Sequence, residues 1–242
     1  MQGDIQQIGY ELFMQFGHHP NLLAANMPED IWDQVGPDIY FPPAAAATRI
    51  RSTNANDTAV GTGARAAIID GLDAQWNFIR ETAILNGTAW VNLQKQFLRI
   101  NRVQIVSAGT GGVNAGIIIL EVGGVLASGI LPGYGRSQIA NYSVPNNIQT
   151  AHLAAVFFSV TNSVVSGAVE WEVRLRPAGG TAWQTAVVAG SASNAGPSAI
   201  PLPIWVPLRR KDDLKIRAIT ISADGIRATA GFQIALRGRT NP

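Results

Sequence analysis

The sequence predicts an all-β fold: an antiparallel β-sandwich, jelly-roll-like, behind an N-terminal extended arm that contains a short helix. Three observations lead there. First, residues 167–176 (GAVEWEVRLR) alternate strictly, with Val169, Trp171, Val173 and Leu175 on one face and Glu170, Glu172, Arg174 and Arg176 on the other. That is the period-two signature of a half-buried antiparallel strand. Second, similar runs recur at 64–70, 78–85, 97–106, 116–122, 125–131, 137–144, 150–161, 181–188, 213–222 and 227–236, with no helical pattern between them. Third, turn chemistry separates them: Asn86-Gly87, Gly109 to Gly116, Gly123-Gly124, Gly179-Gly180 and Asp224-Gly225.

Along the chain, residues 1–43 stand apart. They hold six acidic residues (Asp4, Glu11, Glu29, Asp30, Asp33, Asp38) and no Lys or Arg, while 44–242 carries 18 basic residues against 10 acidic, a net +8. Five of the 13 prolines also lie in 1–43. The stretch reads as an acidic arm before a basic body, with 1–43 as the arm and 44–242 as the sandwich domain; the alternative is a second, smaller sheet domain with a break near 132–137 (PGYGRS), where no linker is visible. Within the arm, Asp4 precedes Gln7 as in a capping box, and Ile5, Ile8, Leu12 and Phe16 recur at helical spacing until Gly17. The spacing predicts a short amphipathic helix over about 4–16, too short to stand without a surface to lie on. From His18 to Pro43, Pro20, Pro28, Pro37, Pro42 and Pro43 punctuate large apolar residues such as Leu22, Ile31, Trp32, Ile39 and Tyr40. A solvated linker does not carry so many, so the segment is expected to lie extended across protein, its own or a neighbour's. Farther on, 195–207 contains four prolines and must be an edge strand or a crossing loop.

Composition narrows the function. At 242 residues, 47% hydrophobic and 14% charged, the chain is long enough to bury a full core. Zero cysteine removes disulfides, thiol nucleophiles and Cys-based metal sites. No run of 18 apolar residues and no basic residue before an apolar N-terminal run occur, so neither a spanning helix nor a signal peptide is expected, and no membrane partner.

Candidate chemistry is thin. GTGARA (61–66) and GTGGVNAG (109–116) look like phosphate-binding loops, yet β-patterned residues follow both, and neither carries the Lys-Ser/Thr of a P-loop. They are expected to be hairpin turns. His18-His19 would point apart on an extended chain with no third ligand in view, so capping the first helix is the expected role. His152, between Ala151 and Leu153, reads as a core or interface histidine. Glu170 and Glu172 could flank a sugar as paired carboxylates, but Arg174 and Arg176 share their face and make cross-strand charge pairing the simpler reading. Asp70, Asp73, Asp212 and Asp213 look like turn residues rather than a calcium loop. The 15 Arg and three Lys are dispersed among strands, so nucleic acid is not expected as a partner. No catalytic, cofactor-binding or metal-binding residues are expected, and no enzyme.

Several segments resemble a known group. PEDIWDQ (28–34), Phe41-Pro42, the stretch 44–88 with ANDTAVGTGAR and GLDAQWN, FLRINRVQIVSAGTGGVNAG (97–116) and IANYSVP (139–145) are similar to structural virion proteins of tailed bacteriophages of aquatic bacteria. The similarity covers about 28–160. It implies a virion location and a non-enzymatic structural role, as a capsid-exterior decoration or cement protein or a capsid-associated fibre. It also implies a symmetric homo-oligomer, a trimer, that contacts other virion proteins such as the major capsid protein. The alternative is a receptor-binding tail fibre or tail protein that contacts host surface glycans, with Trp76, Trp90, Trp183 and Tyr134 near turns as sugar platforms. The arm's Ile5, Ile8, Leu12, Phe16, Ile31, Trp32 and Tyr40 are the expected assembly contacts, since their apolar groups need cover that a free arm lacks.

Overall fold

The structure, a computed structural model, describes residues 11–33, 38–161, 167–192 and 198–238. It is all-β and antiparallel throughout, with a single 3-10 turn at Ala24–Asn26 and no α-helix among the described residues. The strands are β1 (Glu11–Leu22), β2 (Glu29–Asp30), β3 (Thr48–Ser52), β4 (Ala64–Leu72), β5 (Phe78–Ile84), β6 (Val91–Asn92), β7 (Arg99–Ala108) and β8 (Ile118–Val122). There follow β9 (Val125–Ile130), β10 (Asn141–Ser143), β11 (Thr150–Thr161), β12 (Ala168–Arg176), β13 (Gln184–Ala192), β14 (Ser198–Leu208), β15 (Asp213–Ile221) and β16 (Ile226–Arg237). All eleven alternating runs are strands, with ends displaced by a few residues.

Two hydrophobic cores organise them. The larger lies between the sheet β1-β16-β11-β14 and the sheet β10-β15-β12-β13, and is filled by Trp171, Phe158, Phe232, Leu153, Ile216 and Leu22. The alternation of β12 is as expected: Val169, Trp171 and Val173 are buried, and the Trp171 ring stacks on Phe158 at 5.1 Å. The smaller core lies between β6-β3-β8-β9 and β5-β4-β7, around Ile50, Ile69, Phe97, Ile118 and Leu120. Residues 44–242 are therefore not one sandwich; the segment around 48–130 is a lobe of its own. Both lobes share period-two strands of similar length, which is why alternation alone does not separate them.

The lobe is inserted into a strand. Along one side of β15, Ala218 and Arg217 face Glu29 and Asp30 of β2, and Lys215, Leu214 and Asp213 face Asn141, Tyr142 and Ser143 of β10. Ile31 bridges the two pieces: its N–H donates to the Ile216 carbonyl at 3.0 Å and its carbonyl accepts from the Ala140 N–H at 2.9 Å. One strand leaves at Asp30, makes the second lobe, and resumes at Asn141.

The arm and its helix need correction. Residues 11–22 form β1, paired with β16 from Glu11↔Leu236 to Leu22↔Ile226, so this part of 1–43 belongs to the sheet β1-β16-β11-β14, while residues 4–10 of the expected helix lie outside the described residues. The spacing of Leu12 and Phe16 fits a helix, but Leu12, Met14 and Phe16 also alternate, and a long partner strand decides between the two periods. Pro20 does not prevent pairing because it sits on an edge strand, in the register shift between His19 and Leu22. The same rule places Pro201, Pro203 and Pro207 in β14, the opposite edge of that sheet.

Candidate functional site

The lobes meet around one carboxylate. Asp213 opens β15, Arg99 opens β7 and Arg176 closes β12. Arg99 donates Nε and Nη2 to the two Asp213 oxygens at 2.8 and 3.0 Å, and its Nη1 donates to the Pro42 carbonyl at 2.5 Å. Arg176 donates to Asp213 Oδ2 at 2.6 and 3.0 Å, and the Ser143 hydroxyl donates to Oδ1 at 2.5 Å. Arg99 and Asp213 are both buried, where opposite charges are tolerated only as hydrogen-bonded partners. Around them runs a ladder of alternating rings and cations. Arg99 lies 4.7 Å from the Trp76 ring and 5.7 Å from Phe41. Arg176 lies 5.1 Å from Phe41 and 4.8 Å from Trp183, whose ring also takes Lys215 at 5.0 Å. Lys215 in turn donates to Asp30 at 2.7 Å.

Outside this ladder opens a cleft of about 390 Å³, lined by Phe41, Trp76, Arg99, Arg176, Thr181 and Lys211 among others, within the size range of small-ligand sites. Two aspartates outside the lining fix turns that carry lining residues. Asp73 accepts the N–H groups of Gln75 and Asn77, both at 2.9 Å, and fixes the turn that carries Trp76. Asp212 accepts the Arg209 N–H at 2.7 Å and the Ala178 N–H at 3.1 Å, and so fixes the turn that carries Lys211. Both carried residues adopt left-handed backbone, Trp76 at φ 66° and Lys211 at φ 69°. That conformation costs a residue with a Cβ about 1–2 kcal/mol.

The glycine loops do cradle an anion, and it is the chain's own. Asp57, fully buried, accepts the Ala64 N–H at 2.6 Å, the Ala115 and Gly116 N–H groups at 2.9 Å, and the Ser52 hydroxyl at 2.5 Å. A Cβ on Gly63 would come within 2.1 Å of the Asp57 carboxylate, and one on Gly116 within 2.6 Å of Asn54. The motif ANDTAVGTGAR thus reads as a carboxylate knot that joins two loops of the inserted lobe. Neither loop has room for an outside phosphate on those amides.

Other candidates resolve into structure. Glu172 faces Arg217 across the β12–β15 ladder, hydrogen-bonded at 2.7 Å, and accepts from the Thr185 hydroxyl. Burial works to raise the Glu172 carboxyl, but those two hydrogen bonds and the charges of Arg217 and Arg174 outweigh it and hold it below the usual range. Cross-strand pairing is therefore present, although Glu172 itself is buried. Asp70 is an anchor for Arg80 and Arg102 at 2.6 and 2.8 Å rather than a turn residue. With no helix to cap, His18 and His19 point apart: His18 stacks on Tyr134 at 5.9 Å, and buried His19 lies 3.5 Å from Glu29. His152 packs beside Trp205, ring centres 5.9 Å apart. Trp90 is held between Arg49 and Arg51 at 4.2 and 4.6 Å. Among the described residues no group of three His, Asp or Glu could hold a metal.

The expected assembly contacts divide. Leu12, 58% exposed, and half-buried Phe16 lie on the outer face of β1, with Phe16 against Phe157. Ile31 and Trp32 are fully buried within this chain, and Tyr40 packs on the inserted lobe's core, so these three contact their own molecule. Ile5 and Ile8 lie outside the described residues. Sequence reasoning missed Arg99, Asp213 and Lys211 as a group: they come from three distant turns and strand ends, and no local pattern links them.

No family model matches the chain, and no curated protein is significantly similar to it. Two solved structures show a distant likeness. The PBSX exported protein XepA is 9% identical at a TM-score of 0.21, covering 93% of this chain and 82% of that one. The VP2 subviral particle of infectious bursal disease virus is 10% identical at a TM-score of 0.17, covering 98% and 74%. Likeness at this level carries no argument about fold or role.

Proposed function

We propose that this chain is a non-enzymatic structural subunit of a tailed-phage virion, a capsid-exterior decoration or cement protein, or a capsid-associated fibre, that packs as a symmetric trimer. The observation that carries the reading is the character of the sandwich edges. The edge strands β13 and β14 contain no charged residue, and β1 contains only Glu11. Next to these edges Leu12, Met14 and Val188 are 58%, 44% and 56% exposed. Freely soluble sheets guard their edges with charge, proline or cover, and β13 has neither charge nor proline. Such an edge suits a subunit that meets neighbours.

Strand order supports the jelly-roll form of this reading. With β2 and β10 counted as one interrupted strand, eight strands run β1-β16-β11-β14 in one sheet and β2/β10-β15-β12-β13 in the other. That is the order of two interleaved Greek keys, an architecture that viral capsid and lectin domains use. Light scattering on the purified chain tests the proposal. A mass of three times the chain's 25.7 kDa is expected, falling to the monomer in Val188→Lys. A parent that is monomeric at all concentrations and does not enter particles contradicts it.

A second reading, contact with host surface glycans, is favoured by the cleft between the lobes, where Trp76 and Phe41 stand beside three cations.

A further inference from the structure

Trp76 and Lys211 are the only non-glycine residues at positive φ among the described residues, and both line the same cleft. Glycine would occupy either position without strain. Strained residues of this kind concentrate at binding sites, because there the side chain, not the backbone, is what the position serves. The two come from different lobes. Trp76 follows β4 in the inserted lobe, and Lys211 precedes β15 in the sandwich. Each is set by its own aspartate-centred turn, and the Trp76 carbonyl is further tied to the Asn146 N–H at 2.8 Å.

The chemistry of the lining is specific. Arg99, Arg176 and Lys211 stand against a single carboxylate, Asp213, so the lining carries +2. Both arginines are already committed to Asp213. The Lys211 ammonium has no hydrogen bond or ion pair among the described residues, its backbone N–H alone being engaged, with the Val144 carbonyl. Trp76 and Phe41 supply aromatic surface of the kind on which the C–H face of a sugar ring rests, and Thr181 adds a hydroxyl. On the far wall a Cβ at Gly179 would meet nothing within 4 Å, so that side is open. A single-stranded nucleic acid would need a basic groove several nucleotides long. A cleft of about 390 Å³ instead suits one or two sugar units.

We propose that this cleft binds an acidic saccharide, with a sugar ring on Trp76 and its carboxylate on Lys211. The inference rests on the second reading above, that the chain contacts glycans, and adds the class of sugar. The test is calorimetric titration of the full chain with trigalacturonate, neutral maltotriose and a single-stranded oligothymidylate, repeated on Lys211→Gly and Trp76→Gly. Both variants remove a left-handed non-glycine residue, so thermal melting should show them folded. Trigalacturonate alone is expected to bind. Affinity should fall at least tenfold in Lys211→Gly and be lost in Trp76→Gly. If maltotriose binds as well as trigalacturonate and Trp76→Gly abolishes both, the acidic class is overturned while the glycan reading stands. If neither sugar binds, or only the oligothymidylate does, both are overturned. Full affinity in both variants overturns the assignment of the cleft.

Discussion

Arg99 and Asp213, separated by 114 residues, share two parallel hydrogen bonds in the buried junction of the two lobes. Their pair also fixes Arg176 and Ser143, which reach the same carboxylate. Removing Asp213 leaves the buried Arg99 charge uncompensated, which is costly even where the intact pair contributes little, whereas removing Arg99 leaves Asp213 still paired with Arg176. Asp213→Ala should therefore lower unfolding free energy by about 3–5 kcal/mol in urea denaturation, and Arg99→Ala by less, because Arg176 still neutralises the carboxylate. A loss within about 0.5 kcal/mol, the range of surface substitutions, would show that the junction is hydrated and open.

The Asp57 knot should be as sensitive. Asp57→Ala strips the buried Ala64 and Gly116 N–H groups, the more exposed Ala115 N–H and the buried Ser52 hydroxyl of their acceptor, at about 1–3 kcal/mol for each buried group that stays unsatisfied. We expect a loss of at least about 3 kcal/mol, with Asp57→Asn intermediate because one amide oxygen still accepts. Equal melting of Asp57→Ala and the parent would contradict the knot.

Trp171 is the largest test of the main core. It is fully buried, stacks on Phe158, and donates its indole N–H to Ser191 Oγ at 2.6 Å. Trp171→Ala should cost about 3–5 kcal/mol. A variant that melts within a degree or two of the parent would mean that β12 faces the other way.

The pH response has a specific window. Burial first, and neighbouring His18 second, hold His19 down to about 4 from its ordinary 6.5. The folded state thus keeps His19 neutral where the unfolded chain would protonate it. Stability from this group is complete above pH 6.5 and is lost as pH falls towards 4, by up to about 3 kcal/mol. His19→Gln should flatten that part of the stability profile. An unchanged slope between pH 6.5 and 4 would show that His19 takes a proton in the fold, on the side of Glu29.

Much of this architecture was legible because it is local. The alternation of Val169, Trp171 and Val173 needs only one strand to be read. Likewise Gly87, Gly123, Gly179 and Gly225, all at positive φ, sit at the turns where turn chemistry placed them. What was not legible depends on partners far along the chain. Leu12 and Phe16 fit two periods, and β16, more than 200 residues away, chooses the strand. Nothing near Asp30 announces that its strand resumes at Asn141 after a whole lobe. The cleft is hidden for the same reason: Trp76 stands out in sequence as an aromatic beside a turn, but Lys211 is ordinary there, and only a shared wall and the same backbone angle join the two.

The proposed role is that of a packed subunit of a virion. An electron-microscopy map of intact virions from the source of this chain decides it. Two-lobed density repeated about a three-fold axis is expected, with the β13 or β1 edge covered by a neighbouring copy or by the capsid. Particles that lack the chain, or that hold it as isolated copies with both edges in solvent, would contradict it.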